Sequence, residues 1–301
     1  MHNGLWDILE SGNVTQIVKG MIFTEGPVWH KEGYLTFVDL RRNMLLRWQP
    51  GVDVQIIREN TNGGNGCTLD KEGRLLMCEG GNQRVTRWEF DGTWTTVAEA
   101  WQGKRLNRPN DVICRSDGLV YFTDPAMLQT PELVELDMSP VWRLAPDGKL
   151  DAAFASSQDC PYPNGLALSP DEKILYVMNS RLEKACMEKW RRNEVCTHRY
   201  VVALDVQPDG SLHNQRKFAD MSSSDEGVPD GMKVDCNGNL FCTGSGGTWV
   251  FDSKGNKLGV LRTPEVPANC AFGGEDLRTL FFAAQTSVYT MRVKIPGLRK
   301  F

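Results

Sequence analysis

No stretch of this 301-residue sequence approaches the roughly 20 consecutive apolar residues that a membrane-spanning helix needs. No run of Lys and Arg exceeds a pair such as Arg41-Arg42 or Arg191-Arg192, and the net charge is −4. A basic face for nucleic acid or for anionic lipid is therefore not expected. The nine cysteines include no CxxC pair, which argues against zinc-finger and redox motifs. Cys78, Cys114 and Cys242 stand inside apolar alternation, where cysteine behaves as a small buried hydrophobe. Reduced thiols are the expectation, with a Cys186–Cys196 pair left open. The first residues lack the charged start and continuous apolar stretch of a secretory signal, so the default location is cytoplasmic. No GxSxG elbow occurs, and "GSGG" at 244–247 is better suited to a turn. "NGGNG" at 62–66 lacks the Lys-Ser/Thr of a phosphate loop. Helical periodicity is weak throughout, apart from the helix-like composition of Leu182 to Trp190.

What the chain does have is repetition. A turn followed by period-two apolar residues recurs six times, as "KEGYLTFVD", "KEGRLLMCE", "SDGLVYFTD", "PDEKILYVMN", "CNGNLFCTG" and "EDLRTLFFAA". A second series follows the first: "MLLRWQPG", "RVTRWEFDG", "PVWRLAPDG", "YVVALDVQPDG", "GTWVFDSKG" and "SVYTMRVK". Alternation ending in Pro, Asp and Gly marks each as a strand closed by a turn. Repeats of about 40 to 66 residues, each with several short strands, predict an all-β, six-bladed β-propeller spanning residues 1–301 as one domain. The strand near "NVTQIVKG" has no sheet of its own and is expected to complete the blade begun by "TLFFAA" and "SVYTMRV", which leaves no open edge. The segment at about 179–200 reads as an insertion over one face.

A constant offset locates the candidate site. Seven residues ahead of each repeat's turn stand Glu25, Asn65, Asn110, Asn164, Asp230 and Asn269, an oxygen-bearing side chain every time. The first strand of a propeller blade lines the axis, so these six positions are expected to ring one channel mouth. Turn chemistry accounts for any one Asn or Asp beside Gly or Pro, but it would equally admit Ser, Gly or Thr. Two of the six are carboxylates, no Lys or Arg joins them, and crowding them in a partly dry funnel calls for a cation. All-oxygen ligation favours a hard divalent ion, Ca²⁺, Mg²⁺ or Mn²⁺, with Zn²⁺ left open.

At these same residues the chain resembles the senescence marker protein/gluconolactonase family, which includes regucalcin and bacterial gluconolactonases. The matching stretches are "EGPVW", "NGCTLDKEGRLLMCEGGNQRVTRW", "LNRPNDVICRSDGLVYFTDP", "PNGLALSPDEKILYV", "VPDGMKVDCNGNLF" and "VPANCAFGGEDLRTLFF". "CEGGNQRVTR" and "FTDP" are most similar to the bacterial gluconolactonases. The resemblance implies a six-bladed propeller that hydrolyses a sugar-acid lactone such as glucono-1,5-lactone around one divalent metal, Ca²⁺ foremost. It implies Glu25, Asn110, Asn164 and Asp230 as ligands, with Asp230 also as general base. Asn65 and Asn269 would then face substrate or water, Arg108 would reach substrate oxygens, and Asp124 in "FTDP" would be a substrate or supporting group. A small-molecule lactone is the expected partner, with no nucleic acid or membrane, and the chain is expected as a monomer or homodimer. His2, His30, His198 and His213 all fall outside the ring, so a histidine-dyad mechanism is not supported. A non-enzymatic metal- or sugar-binding propeller, or an esterase or phosphotriesterase on this scaffold, remains the alternative. Within the insertion Arg191, Arg192, His198 and Arg199 would favour an anionic or larger substrate if they fold over the metal end.

Overall fold

The computed structural model describes residues 4–126, 131–155, 160–180 and 198–298. The helix-like Leu182 to Trp190 stretch, the Cys186–Cys196 pair, Arg191, Arg192, His2 and most of the insertion lie outside them. Six four-stranded antiparallel sheets make up the described chain, with a two-stranded hairpin beside the second of them. The first blade runs Thr24–His30, Tyr34–Asp39, Met44–Gln49 and Val52–Glu59 from the axis outward. The first repeated series is thus the second strand of each blade, and the second series is the third. The fourth strand Val52–Glu59 has no buried residue, so its short Val52-Asp53-Val54-Gln55-Ile56 alternation faces solvent and is not repeated in the other blades.

Closure follows the expected route. Thr15–Val18 pairs antiparallel with Ser287–Arg292, the third strand of the last blade, so the earliest strand and the latest share one sheet. The innermost strands are Thr24–His30, Gly64–Leu69, Val112–Cys114, Pro163–Leu168, Met232–Val234 and Asn269–Gly273, and each touches the next in that order, the last against the first. Six buried apolar clusters fill the seams, each between two adjacent blades. In one seam Tyr176 and Met178 of the fourth blade meet Trp249 and Phe251 of the fifth. Packing each blade on both neighbours leaves their inner ends little freedom to shift, so the axis residues sit on a rigid frame. Six of the seven described cysteines are buried thiols and only Cys236 is exposed, as the apolar alternation around them implied.

Candidate active site

The ring residues open the inner strands. Glu25, Asn65 and Asn164 are each second in their strand, Asn269 is first, and Asn110 and Asp230 stand two residues ahead of theirs. Glycine follows four of the six, as Gly26, Gly66, Gly165 and Gly231. Their backbones come into direct contact with the next blade: Gly66 N–H donates to Asn110 O at 2.8 Å, Gly165 N–H to Asp230 O at 2.7 Å, and Gly231 N–H to Ala268 O at 2.8 Å. A Cβ at Gly26 would lie 2.2 Å from Asn65 O, and one at Gly165 would lie 2.1 Å from Asp230 O. Glycine is what allows the strands to converge at this level. The pattern was written in "EGP", "NGC", "NGL" and "DGM", although periodicity alone does not say what such a glycine is for.

Burial and neighbouring charge dominate Glu25. The side chain is 3% exposed, and its Oε2 accepts from Gly26 N–H at 2.6 Å and from Asn269 Nδ2 at 2.9 Å. Both bonds fall on Oε2, leaving Oε1 without a hydrogen-bond partner among the described residues. Desolvation, followed by the negative charges of Asp230 and Asp111, pushes the Glu25 carboxyl well above its ordinary range. Asp111 went unnoticed in the sequence because it stands one residue past the ring position, where four other blades have glycine. It is 3% exposed, its Oδ1 accepts from Val112 N–H at 2.9 Å, and its Oδ2 is a buried atom with no close hydrogen-bond partner among the described residues, although the Asn269 amide lies near enough to lower its carboxyl. Asp111 of the third blade and Asp230 of the fifth thus both act on Glu25 of the first.

The amide orientations follow from the hydrogen bonds. Ser180 Oγ spends its one proton on Pro229 O at 2.5 Å, so it can only accept from Asn164, whose Nδ2 lies at 2.9 Å. Asn164 Oδ1 is left without a partner among the described residues. Asn269 is oriented in the opposite sense: Cys270 N–H donates to its Oδ1 at 2.9 Å and its Nδ2 faces Glu25. At 2% exposure and with both amide atoms engaged, Asn269 is held against Glu25; the resemblance had implied that it faces substrate or water. Asn65 and Asn110 are half buried, and the backbone of Asn110 is fixed by its N–H on Thr123 O at 2.8 Å.

Asp124, for which the sequence left a substrate or a supporting role, is fully buried. Its Oδ2 accepts from Asn107 N–H and Trp142 Nε1, both at 2.9 Å, which anchors the segment carrying Arg108 and Asn110. Arg108 itself is half buried and lies across Gly80, where a Cβ would come within 2.8 Å of its Cγ. The glycine of "CEGG" therefore makes room for this arginine. The same device recurs at the ends of other second strands: Asp39 accepts from Ile22 N–H at 2.8 Å ahead of Glu25, and Asn179 from Tyr162 N–H at 3.0 Å ahead of Asn164. The polar residues closing "FVD", "FTD" and "VMN" are the signal that could have revealed these anchors.

Burial raises the Asp124 carboxyl from 3.8 to about 7. An acid whose folded value lies above its unfolded one stabilises the fold fully below pH 3.8, and that contribution is lost as pH rises to about 7. At about 1.4 kcal/mol per pH unit, the loss is up to about 4 kcal/mol. Asp124→Asn should therefore flatten the decline in urea stability between pH 4 and pH 8; an unchanged pH profile would show that Asp124 is not the titrating group.

Among the described histidines, His198 reaches this end through its backbone, its O accepting from Asn179 Nδ2 at 2.7 Å. His30 closes the inner strand of the first blade, is buried against Thr36 Oγ1 at 2.9 Å, and is lowered to about 4 by burial and by Arg47, so it is neutral. Among the described residues no three of His, Cys, Asp and Glu form a metal centre, so any cation here must draw on carboxamide oxygens as well. The open Glu25 Oε1 and Asn164 Oδ1 fit that requirement. A cavity of about 360 Å³ lies at the other end of the inner strands, lined by Val28, Val112, Leu168 and Phe272 with Lys233 among them, and it is separate from the ring.

Residues 23–286 match the SMP-30/Gluconolactonase/LRE-like region. A gluconolactonase of Zymomonas mobilis is 33% identical over 317 aligned residues, covering 96% of this chain and 84% of that protein. The pentonolactonase XacC of Haloferax volcanii is 29% identical, covering 85% of this chain and 79% of its own length. A solved gluconolactonase from Xanthomonas campestris superposes with a TM-score of 0.83 at 32% identity, over 97% of this chain and 93% of that one. With a propeller closed between its first and last strands and an oxygen-rich ring at one mouth, the chain belongs to the SMP-30/gluconolactonase/LRE-like family.

Proposed function

We propose that this protein hydrolyses a sugar-acid lactone, glucono-1,5-lactone being the representative substrate, with one divalent cation, Ca²⁺ foremost, held by Glu25, Asn110, Asn164 and Asp230. The observation that carries the reading is the buried Glu25, whose carboxyl is penalised by burial and by Asp230 and Asp111 and whose Oε1 has no partner among the described residues. A cation reverses that penalty. The relatives named gluconolactonase and pentonolactonase supply the substrate class. When bound, the cation polarises the lactone carbonyl and stabilises charge that develops on its oxygen. Asp230 accepts the proton of the attacking water. The acyl C–O bond of the ring then breaks, and the same proton passes to the ring oxygen, giving the open hydroxy acid. Arg108, supported on Gly80 and anchored through Asn107 to Asp124, binds the hydroxyl oxygens of the substrate. Asn65 at the same mouth shares that role.

Chelation of the purified protein should abolish hydrolysis of glucono-1,5-lactone, and added Ca²⁺ should restore it, followed by pH-stat titration of the acid released. Metal binding without lactone opening would favour a non-enzymatic metal- or sugar-binding propeller. Faster turnover of aryl esters or of a phosphotriester would move the reading to those substrates.

A further inference from the structure

Lys233 stands three residues after Asp230 and below the level of the ring. Its stem lines the cavity at the far end of the channel, while its ammonium donates to Met232 O at 3.0 Å and to Asn269 Oδ1 at 3.5 Å. Asn269 passes that contact on, because its Nδ2 donates to Glu25 Oε2 at 2.9 Å. Lys233 also acts electrostatically on Asp111, whose Oδ2 is a buried atom. One cation thus lies close to Asp111 and two hydrogen bonds from Glu25, the carboxylate on which the charges of Asp230 and Asp111 both bear.

We infer that Lys233 is a fixed counter-charge beneath the metal position: it holds Asn269 against Glu25, offsets the acid cluster in the metal-free protein, and sets an upper limit on how tightly a divalent cation binds. The inference rests on the metal reading above. A positive charge two hydrogen bonds from a ligand opposes an arriving cation, and the partly buried setting screens this repulsion less than bulk water would. Divalent binding therefore trades tightness for a metal-free state that keeps its shape.

Lys233→Met and Lys233→Gln remove the charge with different shapes, and Lys233→Arg retains it. Isothermal titration with CaCl₂ should show both neutral variants binding at least about fivefold tighter than wild type. In EDTA the neutral variants should melt at lower temperature than wild type, and Lys233→Arg should match wild type in both measurements. If one neutral variant fails to fold, the other decides. Affinity in the neutral variants that rises less than this, stays level or falls overturns the role of Lys233 and leaves the metal site standing. Wild-type protein that binds none of Ca²⁺, Mg²⁺, Mn²⁺ and Zn²⁺ overturns the metal reading itself and this inference with it.

Discussion

Asp230→Asn should lower turnover of glucono-1,5-lactone by about two to four orders of magnitude while leaving the fold in place. Asparagine is nearly isosteric with aspartate, and the backbone of this position is itself bonded into the propeller. Asp230 O accepts from Gly165 N–H at 2.7 Å, and Asp230 N–H donates to Thr243 O at 3.1 Å. The substitution removes one of the two charged groups proposed to hold the cation and the group proposed to receive the proton of water. It also removes the neighbouring charge that contributes to raising the Glu25 carboxyl, so Glu25 ionises more readily and part of the stability of the metal-free protein is regained. The measurement is kcat beside a calcium titration and a circular dichroism melt. Near-normal turnover in a protein that still binds Ca²⁺ as wild type does would remove Asp230 from the site.

Gly165→Ala is the second large effect, and it reaches Asp230 without touching its side chain. The new Cβ would lie 2.1 Å from Asp230 O and 2.8 Å from Gly231 Cα, both backbone atoms with no flexible end to move aside. Relief requires the inner ends of the fourth and fifth blades to part, which breaks the Gly165–Asp230 hydrogen bond. Overpacking of this kind costs about 1–3 kcal/mol. A displacement of about 1 Å at a catalytic group costs about a hundredfold in rate. Turnover should therefore fall by about a hundredfold with only a modest loss in urea stability. Gly4→Ala, which would meet nothing within 4 Å, is the matched control. Turnover unchanged in Gly165→Ala would mean that the spacing of these strands does not set the geometry of Asp230.

The blades, their number and the closing strand were legible because they depend on short-range pattern. Alternation places side chains on two faces, and Asp-Gly or Glu-Gly turns end the strands, so local residues suffice. The seven-residue offset is equally local: it is the length of one inner strand counted back from its turn, and it brought all six ring residues to one level. Roles within the ring were less legible. Asn164 and Asn269 are the same residue type at the same register, yet Ser180 turns the amide of one so that its oxygen is open, and the backbone of Cys270 turns the other towards Glu25. For Asp124 the sequence left a substrate and a supporting role open, and burial under Trp142 and Asn107 is what ties it to the segment carrying Arg108.

The sequence by itself determined that six similar units form, which residues begin each inner strand, and that those residues carry oxygen. These are properties of segments of about ten residues, where propensity and periodicity act. Only the tertiary structure decided that Asp111 and Asp230 both act on Glu25, that Lys233 lies beside Asn269 and Asp111, and that Asp124 is buried under Trp142. The first two depend on ring closure, which brings Asn269 against Glu25 across 244 positions of the chain, the third on packing within one blade, and no local pattern records either distance or burial.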